Sequence, residues 1–219
     1  MLRIAASVGL CCILSVAVSW AAQEKKPEPT KFKTIDLQAK GNKKLADEMH
    51  GRTDGNYLTG LKAGEQTLEG VTFKLGEKYI QLVGTVVPDE PEKVEGIAVK
   101  QKFEKLHILH ATGWAADDDT IIGEYTVNWE DGTSVTIPIR YGKDVLNWWY
   151  SEEEPEPSQG KVAWKGENEA AKLAGKKIRL YMTTWENPKP DKKVFTIDYS
   201  STKQGQCAPF CLAITAEGK

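Results

Sequence analysis

Two neighbouring stretches of the chain alternate regularly between apolar and polar residues. In residues 123–129 the large apolar side chains fall on odd positions, and in residues 133–141 the aliphatic and aromatic ones do so again. A period of two is typical of a β-strand with one buried face. For both apolar faces to coincide in an antiparallel pair, odd positions must pair with odd positions. The loop between the strands must therefore contain an odd number of residues.

The loop that meets this requirement is Glu130-Asp131-Gly132. A three-residue hairpin loop is commonly a type I turn followed by a residue with positive φ, which glycine adopts at the lowest cost. We therefore predict positive φ at Gly132. The cross-strand pairs predicted by this register are Val127 with Val135 and Tyr125 with Ile137.

Short alternating segments recur along the rest of the chain, while residues 106–112 are apolar on both faces and are predicted to form a central strand. Helical periodicity is limited to Lys43–Met49 and to Glu169–Leu173. Many short strands joined by polar loops predict an all-β fold. We expect an antiparallel, jelly-roll-type β-sandwich with one or two short helices.

Residues 1–21 have the pattern of a cleavable export signal. Arg3 gives a positive start, residues 4–18 are apolar or small, and Ser19-Trp20-Ala21 supplies small residues for cleavage. A membrane-spanning helix would need about 20 apolar residues, more than this run contains. We predict a signal peptide and a secreted or periplasmic protein that has no membrane span after cleavage.

The mature chain is predicted to contain a linker and one domain. Residues 22–34 are rich in Pro, Lys and Glu and have little to bury, so we expect a flexible linker. Residues 35–219 are predicted to form the β-sandwich domain around one core. Acidic side chains only slightly outnumber basic ones, so the net charge gives no reason to expect a nucleic-acid partner. Nothing in the sequence indicates an oligomeric state.

Cys207 and Cys211 are the two cysteines of the mature chain. In a continuous strand, residues four apart are separated by about 13 Å, which is beyond disulfide reach. A bridge would therefore require a turn at residues 208–210. An oxidising compartment permits such a bond, so a local disulfide and two buried thiols are equal alternatives.

Five segments, in order, resemble a known group of domains. They are MHGRTDGNYLTGLKAGEQTLEGVTFKL, LHILHATGW, IPIRYGKDVLNWWY, RLYMTTWENPKPDKKVFTIDY and APFCLAI. This order resembles exported bacterial β-sandwich domains related to galactose-binding-like and NPCBM-type carbohydrate-binding modules. The resemblance covers about residues 33–216. It implies a jelly-roll sandwich and, by analogy, sugar recognition.

Tryptophans in loops are the main candidates for ligand contact. Trp148 and Trp149 follow a polar loop and, on extended backbone, would face opposite ways. Trp185 ends a strand, where Glu186-Asn187-Pro188 interrupts regular pairing. An exposed indole offers a flat face to a sugar ring, and the neighbouring Glu186 and Asn187 can hydrogen-bond hydroxyl groups. The alternative is that these indoles pack the ends of the sandwich.

The histidines divide into two kinds. His50 and Asn56 belong to a Gly-rich polar segment that can reach a ligand, although a histidine that only holds the turn is an equal alternative. His107 and His110 are an odd number of positions apart on one strand. Their side chains therefore point to opposite faces and cannot both ligate one metal ion.

No pattern in the chain indicates catalysis, a metal site or a cofactor. Asp117-Asp118-Asp119 carries oxygen ligands of the kind that Ca²⁺ prefers, but it lacks the spaced ligands and glycine of a calcium loop, so we expect a solvated hairpin tip. The sequence contains no Gly-x-Ser-x-Gly motif.

We therefore expect a non-catalytic carbohydrate-binding-like module whose partner is a glycan or another cell-envelope component. The alternatives are an envelope-associated protein-interaction or structural domain and, third, a secreted hydrolase. A sugar site predicts aromatic residues in a concave surface, whereas a protein interface predicts a broad apolar patch. The candidate ligand-binding residues are His50, Asn56, Trp148, Trp149, Trp185, Glu186 and Asn187.

Overall fold

The structure, a computed structural model, describes residues 31–50 and 54–218. The predicted signal peptide lies outside these residues. None of the described helical segments is long and apolar enough to cross a bilayer. The elements are β1 (Lys31–Ile35), β2 (Lys43–Lys44), β3 (Gly64–Leu68), β4 (Val71–Leu75), β5 (Lys78–Gln81), β6 (Lys93–Gln101), β7 (Lys105–Gly113), β8 (Ile121–Trp129), β9 (Ser134–Arg140), β10 (Trp149–Tyr150), β11 (Lys161–Gly166), α1 (Glu169–Leu173), β12 (Lys177–Glu186), β13 (Val194–Ser201) and β14 (Ala208–Gly218).

Eight of these strands form a jelly roll. The larger sheet contains the order β5-β14-β7-β12, and the smaller sheet has the order β6-β13-β8-β9. Each of these neighbouring pairs is antiparallel. Apart from the β8–β9 hairpin, which lies within the smaller sheet, these eight strands alternate between the sheets in chain order, as in a jelly roll of two Greek keys. The predicted all-β, antiparallel jelly-roll sandwich is therefore confirmed. Strands β1, β2, β10 and β11 extend the larger sheet, and β3 and β4 form a separate hairpin.

Strand β7 is central, as the sequence predicts. It lies between β12 and β14, and every residue from Leu106 to Gly113 is buried. Residues on both faces of this strand contact protein, because one face packs toward the smaller sheet and the other is covered by neighbouring side chains. This two-sided burial explains why the segment is apolar at successive positions rather than alternate ones.

The two histidines of β7 point to opposite faces, which confirms the prediction from their spacing. The Nε2 atom of His107 lies 2.8 Å from the Oε2 atom of Glu217. His110 lies between the sheets, where its Nδ1 is 3.2 Å from the hydroxyl of Tyr125 on β8. Its Nε2 is 3.0 Å from the hydroxyl of Thr183 on β12. His110 therefore links the two sheets through hydrogen bonds.

The β8–β9 hairpin has the predicted register. Val127 pairs with Val135, and Tyr125 pairs with Ile137. Gly132 has a φ of 81°, and its N–H donates to the carbonyl of Trp129 at 3.0 Å. The alternation of apolar residues was therefore sufficient to determine the loop length.

One of the two predicted helices is present. Helix α1 spans Glu169–Leu173, and the side chain of Asn168 caps it by accepting the N–H of Ala171 at 2.8 Å. The expected one or two short helices are therefore borne out by one helix, and the other candidate segment, Lys43–Met49, is not helical. Lys43 and Lys44 form β2 against β5, and the carboxylate of Asp47 accepts the N–H of Lys44 at 2.8 Å. This local bond closes a turn, so two apolar residues one helical turn apart did not produce a helix.

The first strand begins inside the predicted linker. Residues 31–35 form β1 and pair with residues 214–218 of β14. The folded domain therefore starts at least four residues before the predicted boundary at residue 35. The polar composition of this segment hid the strand, because its pairing partner lies at the far end of the chain.

Cys207 and Cys211 are free, buried thiols. Residues 208–210 are extended, since they pair with residues 111–113 of β7, and the turn that a disulfide requires is not formed. The disulfide alternative is therefore wrong for this fold. Burial raises the pKa of the Cys211 thiol to about 12, so it is protonated and unreactive at neutral pH.

We expect Gly132→Val to lower the free energy of unfolding by about 1 kcal/mol or more, because a β-branched residue is strained at positive φ. A Cβ at this position would meet no atom within 4 Å, so any loss reports backbone strain alone. Gly132→Asn is the matched control, since asparagine tolerates positive φ. Urea unfolding of both variants checks this; equal stability of the Val variant and the parent would contradict it.

Candidate functional site: a tryptophan-lined cavity

A cavity of about 260 Å³ lies where the segment before residue 51 meets the end of β7 and the start of β10. We call it the tryptophan cavity. It brings together four of the seven predicted ligand-binding residues and three residues that the sequence did not single out. It is lined by His50, Asn56, Gly113, Trp114, Asn147, Trp148 and Trp149.

Backbone pairing fixes the two adjacent tryptophans. The N–H of Trp148 donates to the carbonyl of Thr112 on β7 at 2.9 Å, and the carbonyl of Trp148 accepts the N–H of Arg179 on β12 at 2.8 Å. Trp149 then pairs with Ile178. Trp148 is only 2% exposed, and Trp149 is half-buried. Their ring centroids lie 6.5 Å apart and both side chains line the same cavity. The prediction that they face opposite ways is therefore wrong, because the chain bends at Trp148, just before β10.

The ring of His50 forms one wall of the cavity. It packs against Trp114, Trp148 and Phe210, with ring centroids 4.9, 5.7 and 5.6 Å away. A Cβ on Gly113 would lie 2.7 Å from the Nε2 atom of His50, which is closer than atoms can pack. The ring therefore occupies the space that the glycine leaves open at the end of β7.

His50 contributes to the cavity mainly through the contacts of its ring with neighbouring aromatic side chains. Burial lowers the pKa of its imidazole to about 3, so the ring is neutral at physiological pH. Its Nε2 atom is buried and has no hydrogen-bond partner among the described residues. The enclosed nitrogen indicates that His50 shapes the cavity rather than contacting a ligand through Nε2.

Asn56 holds the indole of Trp149 in place. Its Oδ1 accepts the Nε1–H of Trp149 at 3.1 Å and the Nδ2–H of Asn168 at 3.1 Å. Its own Nδ2 donates to the carbonyl of Met49 at 2.9 Å. Asn56 is buried. The amide therefore joins three segments of the chain and orients one indole of the cavity.

Three N–H donors of the lining side chains have no hydrogen-bond partner among the residues that the structure describes. They are the indole N–H groups of Trp114 and Trp148 and the amide Nδ2 of Asn147. The Oδ1 of Asn147 is already used, because it accepts the N–H of Trp149 at 3.2 Å. The cavity thus combines aromatic surface with unpaired donors, and among the described residues none of its lining side chains is charged at neutral pH.

Trp185 does not belong to the tryptophan cavity. Trp149 pairs with Ile178, seven positions before Trp185 on β12, which corresponds to about 23 Å along a strand. Trp185 is half-buried and packs edge-on against Phe103, with centroids 6.5 Å apart. It lines a second cavity that shares no lining residue with the first.

Glu186 and Asn187 interact with other parts of the protein and line neither of these two cavities. Glu186 is exposed and lies 3.8 Å from the ammonium group of Lys105. Asn187 is buried; its Nδ2 donates to the carbonyl of Phe103 at 2.9 Å, and its Oδ1 accepts the N–H of Lys189 at 3.0 Å. Asn187 therefore stabilises the turn after β12.

The aspartate run takes part in ion pairing. Asp119 lies 2.8 Å from the ammonium group of Lys143 and 3.0 Å from the guanidinium of Arg140. These contacts, with the hydrogen bond from Lys143 first, lower the pKa of Asp119. Among the described residues, no three His, Cys, Asp or Glu side chains are grouped closely enough to hold a metal ion.

Comparison with known proteins finds no match: no protein-family model fits the chain, and no curated protein is similar enough to be a relative. The resemblance to carbohydrate-binding modules therefore stays a prediction. Because a jelly roll supports many activities, the fold alone does not indicate a function, and the cavity is the feature that does.

Two buried histidines should make stability depend on pH between about 5 and 6. Burial lowers the pKa of both His50 and His110 to about 3 in the folded protein, while an unfolded histidine titrates near 6.5. The unfolded chain therefore binds more protons as the pH falls. Stability is fully present above about 6.5 and is lost as the pH falls toward 3, by about 1.4 kcal/mol per pH unit for each histidine.

Urea unfolding at several pH values measures this dependence. His110→Gln should remove about half of the slope between pH 5 and 6, because one of the two histidines no longer titrates. A parent protein whose unfolding free energy is constant from pH 7 to 5 would contradict the burial of both rings.

Proposed function

We propose that this protein is a non-catalytic carbohydrate-binding module that holds one neutral sugar unit in the tryptophan cavity. The single observation that carries the proposal is the presence of three unpaired N–H donors beside indole surfaces in one cavity. Oxygen atoms of a sugar can accept from such donors, while its C–H faces can pack on the indoles.

The size and charge of the cavity support this ligand class. A volume of about 260 Å³ is slightly below the range of about 300–1,000 Å³ that is usual for drug-sized ligands. The cavity is therefore better matched to a single sugar ring than to several consecutive units of a longer glycan. The lining side chains that the structure describes carry no net charge, which favours a neutral ligand, because burying an unpaired ionic group is costly.

The exposed apolar surface favours the cavity over a protein interface. Large exposed apolar side chains among the described residues are Val86, Leu173 and Phe195. They belong to a loop, to the end of α1 and to β13, whereas a protein-binding surface is expected to form one broad patch. This distribution supports ligand binding in the cavity.

We also propose that the protein acts outside the cytoplasm, as a secreted or periplasmic protein. The support is the pattern of residues 1–21, with a positive start, an apolar run and small residues before Ala22. Mass spectrometry of the protein recovered from the exported fraction should give a chain that begins at Ala22. A full-length chain confined to the cytoplasm would contradict export.

A glycan array probed with the purified protein tests the binding function. Stacking on an indole plus a few hydrogen bonds should give an affinity on the order of micromolar to millimolar, after the costs of ordering and desolvation. Trp149→Ala should weaken the signal, because it removes aromatic surface from the cavity. Trp164→Ala is the matched control: Trp164 is another half-buried tryptophan, on β11, and does not line this cavity.

A milder variant separates hydrogen bonding from stacking. Trp114→Phe keeps an aromatic ring but removes one unpaired N–H, so we expect binding to weaken by about tenfold, the value of one hydrogen bond of roughly 1.4 kcal/mol. Thermal unfolding of each variant reports whether the fold is retained. A glycan affinity that is unchanged by Trp149→Ala in a folded protein would rule out this cavity as the site.

A further inference from the structure

A second cavity, of about 230 Å³, lies between the edge strand β9 of the smaller sheet and β12 of the larger sheet. Its lining includes apolar side chains from β9, which form one wall, and several polar groups. Arg140, Asp144 and Gln159 contribute polar groups to the lining, and Trp185 contributes an aromatic one.

A reciprocal pair of backbone contacts positions Asp144. Its N–H donates to the carbonyl of Arg140 at 2.9 Å, and its Oδ2 accepts the N–H of Arg140 at 2.7 Å. Nearby, the N–H of Gln159 donates to the carbonyl of Lys143 at 2.9 Å. Two loops that are distant in sequence are thereby held together, with both side chains on the lining of the same cavity.

The hydrogen-bonding capacity of these side chains is only partly used. The Oδ1 atom of Asp144 and the side-chain amide of Gln159 have no hydrogen-bond partner among the described residues. Asp144 is half-buried, and burial is the main cause that raises the pKa of its carboxyl group. A partly desolvated carboxylate oxygen gains more from accepting a hydroxyl hydrogen bond than one that water already solvates fully.

The charges of the cavity are balanced. Arg140 contributes a guanidinium, but its Nη1 donates to a carboxylate oxygen of Asp119 at 3.0 Å, so this cation is already paired. Asp144 contributes one carboxylate. An anionic ligand would meet the carboxylate of Asp144, whereas a neutral ligand with several hydroxyl groups can donate hydrogen bonds to that carboxylate.

Trp185 provides the aromatic surface. It lies near the end of β12, is half-buried, and is supported on one side by Phe103. An indole beside a carboxylate and an amide can pack against the apolar face of a sugar while its hydroxyl groups bind the polar atoms.

We propose that this cavity is a second carbohydrate site, in which Trp185 packs against a neutral sugar ring and Asp144 and Gln159 accept or donate hydrogen bonds to its hydroxyl groups. The inference takes its ligand class from the proposed function. The two cavities share no lining residue among those that the structure describes, so each can be followed through its own tryptophan.

Indole N–H signals in nitrogen-15 NMR spectra can follow both cavities in one titration. The probes are neutral methyl glycosides of glucose, galactose, mannose and xylose, added to the labelled protein. Single Trp→Phe substitutions assign the signals. We expect the Trp185 signal to shift with its own dissociation constant, and to do so equally in the Trp149→Ala variant.

Each outcome separates the second site from the first. If the Trp114 and Trp149 signals shift while the Trp185 signal is unmoved, the second site is wrong and the proposed function stands. If only Trp185 shifts, the second site is supported and the tryptophan cavity is not the sugar site. If no indole signal moves with any of the four glycosides, both proposals are contradicted.

Two variants test the polar contacts. Asp144→Asn replaces an acceptor oxygen by a donor at nearly constant shape, and it should weaken binding at Trp185 by tenfold or more without changing the titration of Trp149. Gln159→Ala removes an exposed side chain that the fold does not need, and we expect it to weaken the same binding. This variant tests the site even if Asp144→Asn does not fold. Unchanged affinity at Trp185 in either folded variant would overturn the assignment of that residue's contact.

Discussion

The burial of β7 on both faces is the constraint on which the rest of the structure depends. This strand pairs with β12 on one side and with β14 on the other, and its registers determine where those strands end. Because β7 ends at Gly113, the larger sheet has no side chain at the point where the His50 ring approaches. Gly113 is therefore the last residue of β7, and its missing side chain leaves the space next to which the indoles of Trp114, Trp148 and Trp149 lie.

The two cavities use the sandwich in different ways. The tryptophan cavity lies at one end of the larger sheet, where Trp148 is inserted beside β7 and Asn56 fixes the indole of Trp149. The second cavity lies between the sheets, beside the edge strand β9. In both places aromatic surface stands next to polar atoms that lack protein partners. We propose that these atoms are available to bind ligand.

Local patterns predicted local features well. Alternation in residues 121–141 was enough to determine the loop at Gly132, and two-sided hydrophobicity was enough to identify β7. The cavity could be predicted only in part, because Trp114 and Asn147 join it through long-range pairing that no local pattern records. The apolar spacing in Lys43–Met49 was misleading for a local reason. The carboxylate of Asp47 accepts the N–H of Lys44, and this hydrogen bond stabilises a turn instead of a helix.

A crystal structure of the protein bound to the glycan that gives the strongest array signal would test the central claim most directly. The account predicts a sugar ring in the tryptophan cavity, packed on an indole, with an oxygen about 3 Å from at least one of the Trp114, Trp148 and Asn147 nitrogens. A glycan bound elsewhere, with these three donors facing an empty cavity, would contradict it.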